Sequence, residues 1–408
     1  LGPAIRYAEQ GFPADRRMLL GLRFRRKAAE ASPAFMAIFY PDGAAISEGA
    51  VVRQPDLAAT LRLIAEQGPS GFYSGPLADR LVDGVRAAGG IWTRDDLRAY
   101  RVVEREPIAF EYRGVRIVSA PPPSSGGVAM ANIFNILSNF DLQDIAGADR
   151  SHLIIEAMRR AYRDRAQYLG DSDFVDVPVA LLTHPFYARG QATSIRADVA
   201  TPSESLPGIW PAGQKGTNTT HFSVLDEEGN RVASTNTINT WYGSAFMPPG
   251  TGVILNNEMD DFSIKPGVPN GFELIGARAN AVEAGKRPLS SMSPTFLESE
   301  RGVAILGTPG GSRIITMVLR SALAWINGAS AADMVAMKRF HHQYFPDTVE
   351  YETGAFEADE VARLTEMGHT LRESRRPFGN MNVVTWDFGN GRVDAASDPR
   401  GLVEGRVY

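Results

Sequence analysis

The sequence predicts a globular protein of the α+β class, and three observations carry that prediction. Apolar residues recur at helical spacing through residues 56–100 and again through 128–165, with cap residues and glycines at the ends of the runs. Residues 103–119 and 221–239 change to strand-like alternation. The 408 residues are 44% hydrophobic and 22% charged, values that let the chain bury a large core as one big domain or two ordinary ones.

The same composition narrows the function. A net charge of -5 argues against nucleic acid or an anionic membrane as the main partner. No apolar run approaches the roughly 18–20 residues needed to span a bilayer. With no cysteine, disulfides, thiol catalysis and cysteine-bound zinc are excluded. The chain opens at Leu1 on what reads like the middle of a helical domain, without a signal peptide. The expectation is a fragment or processed form whose N-terminal portion is absent.

Residues 1–40 are rich in Arg and Ala, and breaks at Gly11-Phe12-Pro13 and Ser32-Pro33 divide them into short helices. Asp56 is the expected N-cap of a helix carrying Leu57, Leu61 and Ile64 and closed by Gly68. A second helix is expected over 76–88, ended by Gly89-Gly90. Thr93 and Asp96 start a third in capping-box manner, with Asp where Glu is usual. Strand-like runs follow around Tyr112 and Val115-Ile117-Ser119. Residues 121–127 read as a connecting loop, stiff then flexible, before an apolar helix over about 128–137. Leu153, Ile154, Ala157, Met158, Ala161 and Tyr162 mark one face of a long amphipathic helix. Its charges, Arg159, Arg160, Arg163, Asp164 and Arg165, read as a solvated face. Residues 197–217, rich in Pro, Ser and Gly, read as an exposed linker, where a processing site could sit without breaking a core.

Residues 221–226 and 231–239 alternate like strands on either side of Glu227-Glu228-Gly229-Asn230. A three-residue loop, Glu227-Glu228-Gly229 with Gly229 left-handed, is a preferred solution and pairs Asp226 with Asn230. Carried along the ladder, that register sets Thr219 opposite Thr237 on one face. Side chains so opposed have Cβ atoms about 4.5–5.5 Å apart, within reach of hydroxyl contact. A four-residue loop would move Thr237 to the other face, so the pairing rests on Gly229. On strand propensity alone, Thr235 and Thr237 are ordinary β-branched strand residues.

Four longer stretches, taken in order, resemble the gamma-glutamyltransferase family. They are Asn218-Thr219-Thr220-His221-Phe222-Ser223-Val224, Leu255-Asn256-Asn257-Glu258-Met259-Asp260-Asp261-Phe262, Lys286-Arg287-Pro288-Leu289-Ser290-Ser291-Met292-Ser293-Pro294 and Gly307-Thr308-Pro309-Gly310-Gly311-Ser312. Residues 121–127 and Ala396-Ser397-Asp398-Pro399-Arg400 are also similar to it, so the likeness runs from near residue 1 to the C-terminus. It implies an N-terminal-nucleophile hydrolase fold, a four-layer αββα sandwich shared by two subunits cut from one precursor. Residues 1–218 would be the large-subunit portion and 219–408 the small subunit, beginning at the nucleophile.

The resemblance implies self-cleavage between Asn218 and Thr219. The Thr219 hydroxyl would attack the Asn218 carbonyl, and water would open the resulting ester. A freed α-amine, with a reference pKa near 7.7–8.0, then serves Thr219 as its own base and needs no neighbouring His. Thr237 would orient Thr219, and Gly310 and Gly311 would offer backbone N–H groups to the oxyanion. Asn239, Glu258 and Asp261 match positions that hold the ammonium of a γ-glutamyl substrate such as glutathione; Ser290 and Ser291 match those that bind its carboxylate. Phe272, in the 266–279 loop, aligns with a lid position. The family's carboxylate-pairing Arg lies upstream of anything here, and Arg313 cannot be assigned that role. Water, amino acids or peptides would be acceptors, no cofactor is implied, and family members are commonly exported to the periplasm or outside the cell.

Other readings of the sequence compete with this one. A phosphate loop at residues 307–311 lacks the Walker Lys and its spacing. His341-His342 reads as structural, since adjacent strand residues face opposite ways and no ligand cluster is visible around the scattered histidines, so no metal site is expected. The scaffold could also belong to a cephalosporin or glutaryl acylase-like amidase, to a non-catalytic binding protein, or to an unprocessed, inactive precursor.

Overall fold

A computed structural model describes residues 1–208 and 219–408. The chain forms two compact units, residues 1–104 with 238–258, and residues 105–237 with 259–408. Among the described residues, no helix is long and apolar enough to cross a membrane.

The first unit is mostly helical. Its core gathers Leu22, Phe35, Phe39, Tyr40, Ala245 and Met247, with the Phe35 and Phe39 ring centroids 4.6 Å apart. Burying each such phenyl ring stabilises the unit by about 1.5–3 kcal/mol. The helix Pro55–Gln67 is capped by Gln54 rather than Asp56. Pro55 takes the first helical position, where no N–H is needed, and Asp56 sits in the first turn beside the positive end of the dipole. Gly68 closes this helix as expected, with φ 61°. After a short turn of helix at Ser70–Tyr73, the expected second helix runs Gly75–Ala87, and Thr93 and Asp96 make the expected capping box, Asp96 N donating to Thr93 Oγ1 at 3.3 Å.

The second unit is built on a six-stranded antiparallel sheet. Its strands are β1 (Ile108–Tyr112), β2 (Val115–Ser119), β5 (Thr295–Ser299), β6 (Gly302–Gly307), β7 (Asn382–Asp387) and β8 (Val393–Ser397). They lie in the order β8-β7-β6-β5-β2-β1. A separate hairpin, β3 (Thr220–Leu225) and β4 (Arg231–Asn236), packs against β6 and β7. On the sheet's other face lie α1 (Gly126–Leu137) and α3 (Ile314–Ile326), with α2 (Gly147–Tyr168) packed on α1. Helix, sheet and sheet are thus three consecutive layers of the expected αββα order.

Strand β6 shows why. All six of its residues are buried. Ala304 and Leu306 join the helix-side core, whereas Gly307 meets His221 of the hairpin on the other side. A strand covered on both faces loses the apolar–polar alternation of a half-exposed one. Across the layers, Arg231 of β4 donates to Glu298 of β5 at 2.6 Å.

The arginines of α2 overturn one expectation. Arg159, Arg160, Asp164 and Arg165 are buried rather than solvated, and Arg163 is only partly covered. Glu156, also buried, accepts from Arg159 Nε at 3.1 Å and Arg160 Nη1 at 2.6 Å. Asp164 accepts from Asn132 Nδ2 and Gln191 Nε2, each at 2.9 Å. The cover comes partly from the supposed linker. Ala200 and Ser203 are buried, and Thr201 N donates to Glu156 Oε1 at 3.1 Å. Residues 209–217 of that stretch lie outside the described residues.

Candidate active site

The hairpin adopts the register its loop predicts. Gly229 has φ 84°, Asp226 N donates to Asn230 O at 3.1 Å, and Thr220 pairs with Asn236. One step further along that ladder, the Thr219 hydroxyl lies 3.4 Å from the Thr237 hydroxyl, both residues half-buried. Asn218, on the other side of the expected cleavage point, lies outside the described residues.

His221, two residues on, ties this strand to the sheet. Its carbonyl accepts from Asn382 Nδ2 at 2.8 Å, while its ring bonds Thr235 Oγ1 at 2.8 Å and Ser223 Oγ at 3.0 Å. Burial lowers its pKa to about 4, so the imidazole is neutral. The ring lies flush on Gly307, where any Cβ would collide with it. That close approach brings the end of β6, from which the loop carrying Gly310 and Gly311 departs, against the strand that follows Thr219. Gly310 and Gly311 have φ 149° and 58°, backbone that favours glycine.

Phe272 is buried with its ring on Gly311, so the 266–279 loop docks beside the two glycines. Asn270 Oδ1 accepts from Phe272 N at 2.9 Å and Leu274 N at 3.2 Å, and Asp260 Oδ2 from Gly271 N at 2.8 Å. Asp260 is therefore a loop anchor.

Ser290 and Ser291 rest on residues 121–127. Ser290 N donates to Pro123 O and Ser125 N to Ser290 O, both at 2.8 Å. What read as a connecting loop is the bed of the serine pair. Arg165 of α2 donates from Nη2 to Ser291 Oγ at 3.2 Å and from Nε to Ser125 Oγ at 3.0 Å. Asp261 ends the 3₁₀ turn Glu258–Asp261. Its carbonyl accepts from Asn280 Nδ2 at 2.8 Å, and Asn280 Oδ1 accepts from Leu289 N at 2.9 Å, so one amide links Asp261 to the serine segment. Sequence reasoning missed Arg165 and Asn280. Neither carries a local signal: Arg165 acts through partners far along the chain, and Asn280 through loop contacts that no helix or strand period encodes.

Asn239 and Glu258 belong to the first unit, two residues after Thr237 and three before Asp261 in the chain. Asn239 is buried at φ 69° and donates to Asn257 O at 2.9 Å. Glu258 N donates to Asn256 Oδ1 at 3.0 Å.

The histidines are less scattered than the sequence suggests. His152, Glu156 and His369 bring ligand atoms within 4.8 Å of one another, all buried. Yet Glu156 already holds two guanidinium groups, and His152 is engaged at both nitrogens, with Arg196 O and His369 Nε2, each at 2.7 Å. A carboxylate shared by two arginines is a poor ligand for a further cation. His341 bonds Thr316 and Gln343, both at 2.8 Å, and His342 bonds Asp347 at 3.1 Å, as structural histidines do.

Comparison with known proteins bears on this geometry. The profile of the gamma-glutamyltranspeptidase family matches residues 1–407. The chain is 42% identical over 370 residues to a glutathione hydrolase proenzyme of Escherichia coli, covering 90% of this chain and 63% of that protein. To the glutathione hydrolase proenzyme of Pseudomonas sp. strain A14 it is 44% identical over 414 residues, 98% of this chain and 72% of the relative. It therefore spans roughly two thirds of the length of these relatives. The crystal structure of a cephalosporin acylase from Bacillus halodurans is similar over all of this chain and 74% of its own, with a TM-score of 0.85 at 26% identity.

Proposed function

The chain belongs to the gamma-glutamyltranspeptidase family, and from that premise we propose that it is a γ-glutamyl transferase and hydrolase that activates itself by cleavage before Thr219. The hydroxyl contact between Thr219 and Thr237, beside the Gly310–Gly311 loop, carries the proposal.

Thr219 Oγ attacks the Asn218 carbonyl, the peptide nitrogen leaves as the new α-amine, and water hydrolyses the ester. The amine then takes the Thr219 hydroxyl proton as the oxygen attacks the γ-carbonyl of a γ-glutamyl compound such as glutathione. That proton passes to the leaving amine, and the γ-glutamyl ester on Thr219 is resolved by water or by an amino acid or peptide. Backbone N–H groups of Gly310 and Gly311 serve the oxyanion, Thr237 orients the nucleophile, and Asn239, Glu258 and Asp261 take the substrate ammonium while Ser290 and Ser291 take its carboxylate. Residues 1–218 and 219–408 would be the two subunits. Strand β2 comes from the first and β5 from the second, and their ladder, Arg116↔Glu298 to Ser119↔Thr295, would hold the cut halves together.

Intact-mass measurement tests the cleavage: two fragments meeting between Asn218 and Thr219 support it, and a stable single chain sinks it. Chromophore release from a γ-glutamyl anilide tests the substrate class. The likeness to a cephalosporin acylase favours a second reading, the same threonine chemistry on a different acyl group. A preparation that cleaves glutaryl amides and leaves γ-glutamyl anilides intact would establish that reading instead.

A further inference from the structure

We propose that Arg165 is a positioning residue that turns the Ser290–Ser291 pair into hydrogen-bond donors for a substrate carboxylate. This rests on the γ-glutamyl reading above and assigns that site its buried charge.

Three observations converge on it. Arg165 lies in the last turn of α2 with only 4% of its surface exposed. Its guanidinium reaches two hydroxyls, Ser125 through Nε at 3.0 Å and Ser291 through Nη2 at 3.2 Å. Asp261, the expected ammonium ligand in this unit, is close enough to favour its charged form. Burial lowers the Arg165 pKa to about 10, which leaves it charged at neutral pH.

The hydrogen-bond chemistry follows from one asymmetry. A guanidinium only donates, whereas a hydroxyl has one proton and two lone pairs. Ser291 Oγ therefore accepts from Arg165, and its single proton is left to point to another acceptor. Ser125 Oγ likewise accepts from Arg165 and passes its own proton to Ser290 O at 2.7 Å, fixing that backbone. Ser290 Oγ accepts from Met292 N at 3.1 Å, so its proton too is left for an outside acceptor. Two hydroxyls committed as donors, backed by one buried cation, suit an anion and disfavour a neutral amide. Lys could not do the same, since one ammonium cannot reproduce the planar fork.

The test is calorimetric titration of the full chain with L-glutamate and with 4-aminobutyrate, which lacks the α-carboxylate. Arg165→Met is expected to weaken glutamate binding by about tenfold or more, as loss of charge-assisted bonds does, with 4-aminobutyrate held within about twofold. Ser125→Ala, which removes one arm only, should cost glutamate about threefold. Should Arg165→Met fail to fold, Arg165→Lys decides, with an intermediate loss confined to glutamate. Equal losses on both ligands, or no loss on either, overturn the role of Arg165 and leave the γ-glutamyl reading standing. A wild-type chain that binds glutamate no better than 4-aminobutyrate overturns the head-group reading and this proposal with it.

Discussion

At the scale of single residues, the proposed chemistry hangs on one hydroxyl pair. Thr219→Ala is expected to abolish both cleavage and turnover, checked by intact mass and a γ-glutamyl anilide assay; normal processing in that variant would remove Thr219 from the mechanism. Thr237→Val keeps the shape and loses the hydroxyl, so turnover should fall about fivefold to tenfold, the worth of one hydrogen bond. This pair was legible in the sequence because it depends on local facts: strand alternation, a three-residue loop and a glycine at φ 84°. Arg165 and Asn280 were not. Their partners Ser291 and Leu289 are brought to them by the packing of α2 and the 266–279 loop, which no local period encodes. Gly307 is intermediate, visible as part of a motif but not as the seat of the His221 ring. Gly307→Ala forces a methyl into that ring, and overpacking of this kind costs about 1–3 kcal/mol. Chemical denaturation should register the loss, together with slower cleavage before Thr219.

At the scale of elements, helix α2 is where sequence reasoning failed most instructively. Its apolar stripe was read correctly, but the opposite face is buried as well, because residues 185–206 fold back over it. A charged face signals solvent only when nothing covers it, and the cover is set by chain path. The compensation is visible at Glu156. Burial alone would raise its pKa, but Arg159 and Arg160 more than reverse this, holding the carboxyl at about 2. Glu156→Gln would leave two buried guanidinium groups short of an anion. Breaking one partner of such a cluster costs about 3–5 kcal/mol, because charge stays buried without compensation. Urea denaturation of the variant should show an unfolding free energy lower by that amount, through a lower midpoint at an unchanged slope. A shift below about 1 kcal/mol would place this network in the class of weak surface pairs.

At the scale of the whole molecule, the division into two units had no compositional warning. The chain crosses between them at 104/105, at 237/238 and at 258/259, the last of these inside the motif of residues 255–262 rather than in a linker. The second unit carries a set of neutral buried histidines. Burial lowers His221 and His342 to about 4 and His341 and His369 to about 3, Arg313 helping at His341, Arg159 at His342, and His152 at His369. In the unfolded chain each returns to about 6.5. The unfolded state then binds more protons between the folded values near 3–4 and about 6.5, so stability falls as pH drops through that window. At pH 5 each histidine forfeits about 2 kcal/mol, and four together approach the whole stability of an ordinary domain. Glu156 adds the same sign lower down, losing its contribution as pH falls from about 4 towards 2. The expected result is steep acid unfolding between pH 6 and 4 by circular dichroism. His341→Gln, which can still hydrogen-bond Thr316 or Gln343, should flatten that slope and leave stability above pH 7 nearly unchanged. A pH profile as steep in the variant as in the wild type would mean that other groups drive the transition.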